Sequence, residues 1–276
     1  MSRPICRRRP LSLGQRFLGD YLHFSNRGQT AAAERLMRIP DVVAARQAAV
    51  PRPSWGAIMT KAFALAAQNH PEMRSAYLSF PWGHTGEYAS QIASVIVNRR
   101  VGDGDVIFLA PLASPDQQSL CALDDHLRRY QTAPLESIRA FRSAVRIGRL
   151  PGVIRRLLWW LSLNVMPRQR ARHFGTFGVT TMSPFGARTL EVPSLWSALL
   201  HYGGITPEGD IPVGIAFDHR LMNGAVVGYT LLEMEQALHH QIAAELRGMA
   251  RPSTLPTVMS AWLSREPAGE TKPSGS

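Results

Sequence analysis

The sequence predicts an α/β (α+β) sandwich built on a mixed β-sheet. Three observations carry that expectation. ASQIASVIVNRR and GDVIFLAPL are short β-branched runs across a Gly-Asp-Gly turn, the pattern of two paired strands. SWGAIMTKAFALAAQNHPEM has apolar residues at helical spacing. Helices and strands follow one another without the regular βαβ alternation of a doubly wound sheet.

In chain order, residues 1–15, MSRPICRRRPLSLGQ, form a basic arm. No apolar core comes after it, so it is not a secretory signal. The stretch to residue 49 is mixed, with TAAAERLMRI predicted helical. After the break at PRPSW comes a helix with Ser54 as N-cap, Ile58, Phe63 and Ala66 on its apolar face, and Pro71 as its stop. The strand pair is followed by SPDQQSLCALDDHLRRYQ, a helix expected to start at Ser114-Pro115. In residues 137–174, Ile154, Leu157, Leu158, Leu161 and Val165 form one helical stripe, with Arg155 and Arg156 off it. Three strands come next, GTFGVTTMS, SLWSALLHYG and IPVGIAFDHR. A last helix, AVVGYTLLEMEQALHHQIAAEL, starts just after Gly224. Residues 251–276 are rich in Pro, Ser and Gly and read as a loose tail. The expected body is thus residues 16–250, with 137–174 a basic, Trp-containing insertion.

Composition narrows the partners. With 276 residues, 45% hydrophobic and 18% charged, the chain has enough material for a substantial core. The formal charge is +11, which suits an anionic partner: a phosphorylated cofactor, a membrane surface or nucleic acid. The cations are nearly all arginine, since Lys61 and Lys272 are the only lysines, and GC-rich coding produces the same bias. No Gly-rich RNA motif, helix-turn-helix spacing or zinc knuckle points to specific nucleic-acid binding. Cys6 and Cys121 sit in no CxxC or Cys/His cluster, so no metal site or disulfide is expected. Absent a long apolar run, no transmembrane helix is expected, and the location expected is cytoplasmic.

The chemistry concentrates in FDHRLMNG. An apolar strand runs straight into Asp218-His219-Arg220 and leaves as a helix after Asn223-Gly224. Polar residues at the mouth of a core strand are costly unless used or paired. A histidine held there takes a proton near neutral pH and makes a neighbouring hydroxyl, amine or thiol a nucleophile. The attacked acyl carbon passes through an oxyanion, which needs a donor on another segment.

FDHRLMNGA resembles the HRxxDG motif of the dihydrolipoamide acyltransferases, the catalytic components of 2-oxoacid dehydrogenase complexes, whose fold chloramphenicol acetyltransferase shares. GTFGVTTMSPFG is similar to the family's segment before that motif. SWGAIMTKAFALAAQNHPEMRSAY resembles its helix with a buried Lys-Ala pattern before a Pro-Glu, and ASVIVNRRVGDGDVIFLAPLASPDQQSLCAL its strand pair and the helix after it, so residues 54–133 and 175–245 are matched in family order. The resemblance implies a chloramphenicol acetyltransferase-like two-layer sandwich with the active site between protomers of a homotrimer or larger trimer-based assembly. It implies His219 as catalytic base and Thr180 as oxyanion donor, with Thr181 as the alternative one residue on. Asn223 joins them in the implied catalytic set, and Asp218, Arg220 and Gly224 would support the histidine loop.

Two departures shape the expected function. Asn223 stands where the family has aspartate, which weakens a charge-assisted bond to a neutral one and leaves open a non-catalytic relative, a trimeric scaffold or a ligand-binding protein with a degenerate site. There is no room for a lipoyl or peripheral subunit-binding domain, so the expectation is a stand-alone acyltransferase using coenzyme A or acyl-CoA, its acceptor and acyl chain length undetermined. The 149–172 stretch, with Trp159 and Trp160 between arginines, has no family counterpart. It reads either as a helix packed on the protein or as a peripheral membrane contact.

Overall fold

A computed structural model describes residues 11–25, 30–101, 104–181 and 193–250. The elements begin with α1 (Leu13–Ser25), β1 (Thr30–Arg38), α2 (Pro40–Ala48) and α3 (Trp55–Ala66). Then come β2 (Ser75–Leu78), β3 (His84–Glu87), β4 (Ile92–Val101), β5 (Gly104–Ala113) and α4 (Leu120–Thr132). The 137–174 segment forms α5 (Arg139–Gly148), α6 (Gly152–Asn164) and α7 (Pro167–Phe174). The chain continues as β6 (Phe177–Thr181), β7 (Ala198–Tyr202), β8 (Asp210–Asp218), α8 (Gly224–Ala237) and α9 (Ala243–Gly248), with a π turn at Leu238–Ile242 between the last two.

The sheet is mixed and has the order β1-β8-β7-β6-β4-β5. β4 pairs antiparallel with β5 and parallel with β6, while β8 lies antiparallel to both β7 and β1. One face, with Phe177, Val179, Leu200, Ile215 and Phe217, packs on α3 and α8 to make the main core. Part of the other face, with Leu109, Trp196 and Leu199, is covered by α1 and α6 through Tyr21, Phe24, Trp159 and Leu163. The 137–174 helices thus add cover to a two-layer sandwich.

Local chemistry explains most boundaries. The Ser54 hydroxyl accepts from the Ala57 N–H at 3.3 Å, the expected N-cap. α3 then runs buried almost throughout. Its Lys61 escapes isolation through a 2.5 Å pair with Glu245, whose other oxygen accepts from the Leu120 N–H. α3 ends at Ala66 rather than at Pro71, which opens a separate 3-10 turn. α4 starts at Leu120 with Ser119 as N-cap, not at Ser114-Pro115. Ser114 sits at φ +44° in the preceding turn, outside helical geometry.

One expectation is overturned outright. TAAAERLMRI is not helical: residues 30–38 are the strand β1, paired residue for residue with β8. Ala31, Ala33 and Met37 turn to the core, while Arg35 on the same face is exposed and pairs with Glu235, so the free edge of β8 outweighs the helix propensity of Ala, Glu, Leu and Met. α6 settles the orientation of its stripe, which the sequence leaves open. Arg155, Trp159 and Leu163 point inward, while Val153 is 84% exposed, Ile154 48% and Leu157 54%. The cause lies on α1. Asp20, 1% exposed, requires a cation, and the Arg155 guanidinium donates to both of its carboxylate oxygens. Trp159 is consequently buried against Phe17, Phe24 and Phe174 rather than presented at a surface. Among the described residues no helix is long and apolar enough to cross a membrane. Residues 1–10 of the expected 1–15 arm, Gly102 and Asp103 of the expected Gly-Asp-Gly turn, and the 251–276 tail lie outside the described residues, while residues 13–15 belong to α1.

Candidate active site

β8 delivers the motif. Its last residue, Asp218, is buried, and its N–H donates to the Ser197 carbonyl at 3.0 Å. The Asp218 carbonyl accepts from the N–H groups of Leu221 and Met222, which closes the turn after the strand. The carboxylate of Asp218 is held by Arg220: one oxygen accepts from the Arg220 N–H and Nε at 3.0 Å each, the other from Nη2 at 2.6 Å. That bond raises the already high Arg220 pKa further. The guanidinium also lies 4.1 Å from the centre of the Tyr77 ring, a cation–π contact. Below it Arg170 on α7 donates to the carbonyls of Tyr77, Leu163 and Leu195, and burial lowers its pKa. Tyr77 and Arg170 brace the loop, and no motif in the sequence marks either.

His219 is therefore flanked by two immobilised neighbours. Its ring is exposed and rests edge-on against Phe217 at 4.7 Å between centroids. Asn223 is the N-cap of α8, with its Oδ1 accepting from Ala225 N–H at 3.0 Å and Val226 N–H at 3.2 Å. The asparagine oxygen is thus occupied in fixing the helix that follows the histidine loop. Gly224 is the first residue of α8, and a Cβ there would meet nothing within 4 Å.

Thr180 and Thr181 end β6 on opposite faces of the sheet. The Thr181 hydroxyl donates to the Tyr202 carbonyl at 3.0 Å. Thr180 makes no such bond among the described residues, so its proton is available. It stands on the face of Gly178, beside its registered partner His201 on β7. His201 lies over Gly214, where a Cβ would come within 2.3 Å of its ring. Its Nε2 is buried and has no partner among the described residues, and burial lowers its pKa. No sequence motif marks His201. Residues 182–192, the rest of the segment after Thr181, lie outside the described residues.

Within one chain the two halves do not meet. Thr180 is in register with His201, and His201 with Gly214, whereas His219 lies five residues beyond Gly214. At about 3.3 Å per residue that is roughly 16 Å along the strands, plus two strand spacings across the sheet. Thr180 and His219 are at opposite ends of the sheet. If they act on one substrate, they do so from two chains.

No protein-family model matches the chain, and no curated protein sequence matches it. Solved structures do. A probable dihydrolipoamide acetyltransferase from Listeria monocytogenes is 15% identical, with a TM-score of 0.61 over 91% of this chain and 99% of that one. The dihydrolipoamide acetyltransferase of Azotobacter vinelandii is 15% identical, with a TM-score of 0.61 over 87% of this chain and 94% of that one. In that enzyme a serine, a histidine and an asparagine four residues beyond the histidine have been studied for their part in the catalytic mechanism. The cubic core of a pyruvate dehydrogenase multienzyme complex is 16% identical, with a TM-score of 0.60 over 87% of this chain and 94% of that one. The mixed six-stranded sheet, the strand that leads into His219 and the helices behind it are thus the fold of the catalytic acyltransferase domain of 2-oxoacid dehydrogenase complexes.

Proposed function

We propose that the protein is an acyltransferase that moves an acyl group from acyl-CoA to a hydroxyl, amine or thiol acceptor, with the site formed between protomers of a trimer-based assembly. The observation that carries this reading is the immobilised loop that presents an exposed His219, with an unoccupied Thr180 hydroxyl at the far end of the same sheet. His219 removes the acceptor's proton as the acceptor attacks the thioester carbonyl. Thr180 of a neighbouring protomer donates to the oxyanion. Collapse of the tetrahedral intermediate expels the CoA thiolate, which takes the proton back from His219. Trimer-based assembly is supported by the likeness to a cubic core, and by the separation of the two residues within one chain.

The spacing of His219 and Asn223 equals that of the histidine and asparagine studied in the Azotobacter enzyme. Asparagine at 223 therefore supports a working site at least as well as a retired one. The non-catalytic alternative keeps the fold and the assembly: a bare scaffold predicts no binding of the donor, and a ligand-binding relative predicts no turnover that depends on His219.

The discriminating measurement is thermal stability against CoA and acyl-CoAs of increasing chain length. A donor at 100 times its dissociation constant adds about 2.7 kcal/mol, and the expected result is a melting shift that peaks at one chain length. No shift with any CoA species would transfer the weight to a scaffold.

Peripheral membrane contact through the 149–172 stretch has its support in the exposed face of α6, not in Trp159. Val153, Ile154 and Leu157 project among arginines in a segment, 137–174, that holds nine arginines and no carboxylate. Apolar side chains in a basic setting suit an anionic bilayer. Val153→Asp with Leu157→Asp is expected to lower partitioning onto vesicles rich in phosphatidylserine by at least tenfold in co-sedimentation, with the melting temperature unchanged. Equal sedimentation of variant and parent would remove the membrane reading.

A further inference from the structure

A cavity lies away from His219. α1, the end of α4 and the helices α5–α7 enclose a cavity of about 740 Å³ against β5, the edge strand of the sheet. That volume is within the range of small-molecule sites and far beyond the voids that native cores leave unfilled. Its wall is apolar where it is deep: Phe108 and Leu109 from β5, Phe141 from α5, Trp159 from α6 and Phe174 from α7. Of the seven lining residues that remain exposed, five are cationic or imidazole, Arg129, Arg139 and Arg172 with His126 and His173, and the other two are Ser137 and Leu158, so the opening to solvent is mainly basic. None of these three arginines has a carboxylate partner among the described residues. The one buried charge pair in the lining, Asp20 with Arg155, neutralises itself.

We propose that this cavity binds a single-chain anionic amphiphile: a long hydrocarbon chain in the apolar interior, with its carboxylate or phosphate at the Arg129, Arg139 and Arg172 mouth. The chemistry selects that class. A neutral apolar ligand leaves three unpaired guanidinium groups at the mouth unused, and a small hydrophilic anion leaves the aromatic interior empty. Charge-assisted bonds from arginine to a carboxylate or phosphate are about twice as strong as neutral ones. His219 of the same chain is not in the lining, and β8 is separated from β5 by three intervening strands. Leu158 both lines the cavity and continues the exposed Val153, Ile154 and Leu157 stripe, so the apolar surface of α6 leads into the interior. Binding here needs no turnover at His219 and so does not rest on the acyltransferase reading.

Two ligands share the chemistry, a free fatty acid and the acyl chain of a long-chain acyl-CoA, and titration calorimetry with a sixteen-carbon example of each separates them. The full-length protein is compared with Ala144→Trp, which fills the cavity, and with Arg129→Glu/Arg172→Glu, which reverses the mouth while leaving the core intact. The expected result is saturable one-to-one binding of the fatty acid, weakened at least tenfold by both changes, and weaker binding of the corresponding fatty alcohol. Binding of acyl-CoA alone, with the same two sensitivities, also supports the site and identifies the thioester as its ligand. Absence of saturable binding by either compound overturns the proposal. So does binding that both variants retain while their melting curves show them folded. Should Ala144→Trp fail to fold, the charge-reversed variant decides alone. A failed acyl-CoA melting ladder alongside intact fatty-acid binding would sink the acyltransferase reading and leave this one standing.

Discussion

Replacing His219 with alanine is expected to lower turnover by about 10²–10⁴-fold, the usual contribution of a general base, while the assembly and the melting temperature stay as they are. The fold has no stake in this ring. It is exposed, it touches Phe217 only edge-on, and the loop is held by Asp218, Arg220 and Asn223 instead. A structural histidine would move stability with activity, so the two readouts together separate the roles. Thr180→Val removes the only hydroxyl proton in question and should cost about 10²–10³-fold, as loss of one oxyanion donor does. Since the two residues lie at opposite ends of one chain's sheet, neither variant repairs itself. Mixed assemblies should: when the two inactive variants are refolded together, one site in roughly three of each mixed trimer pairs an intact His219 with an intact Thr180. Recovered activity in the mixture would establish the shared site. Activity retained in His219→Ala alone would exclude this mechanism.

The parts of the fold that are legible in the sequence are those where pattern and packing agree. β4 and β5 carry β-branched residues on either side of a glycine corner, and no competing pattern overlays them. Ser54 announces α3, because its hydroxyl is the residue type that an unpaired first turn requires. β1 reads wrongly as a helix because Ala, Glu, Leu and Met are good helix formers anywhere. The unpaired edge of β8, residues 210–218, decides their fate, and it lies far along the sequence. His219 is legible as a polar residue at a strand mouth, and Thr180 through resemblance. The choice between Thr180 and Thr181 is not, since it depends on which hydroxyl the Tyr202 carbonyl occupies. Tyr77 and Arg170 meet the motif only after residues far apart in the chain come together, and an arginine within an arginine-rich run carries no signal of its own.

The orientation of α6, which the sequence leaves open, has a large energetic consequence, and it yields the sharpest stability test. Apolar periodicity puts Ile154 and Leu157 on one stripe, and the helix turns Arg155 inward instead because Asp20 is already there. Replacing Asp20 with asparagine keeps the shape and removes the charge, which leaves Arg155 buried without a counter-ion. Breaking a buried pair from one side costs about 3–5 kcal/mol, and at about 2–4 °C per kcal/mol for a chain of this size the melting temperature should fall by roughly 10 °C. Arg156, 3.6 Å from Asp20 but half exposed, can return to water and needs no rescue. The double change Asp20→Leu/Arg155→Met supplies the control, since replacing both charges with apolar groups is often neutral or better. If the single variant melts with the parent, Asp20 is not what orients α6. If the single variant melts early and the double variant recovers, the charge on α1 is the reason that α6 presents Val153, Ile154 and Leu157 to the outside. Amide exchange across residues 152–164 should rise in Asp20→Asn and return in the double variant, because the pair is the only charged tie between α1 and the inward face of α6 among the described residues.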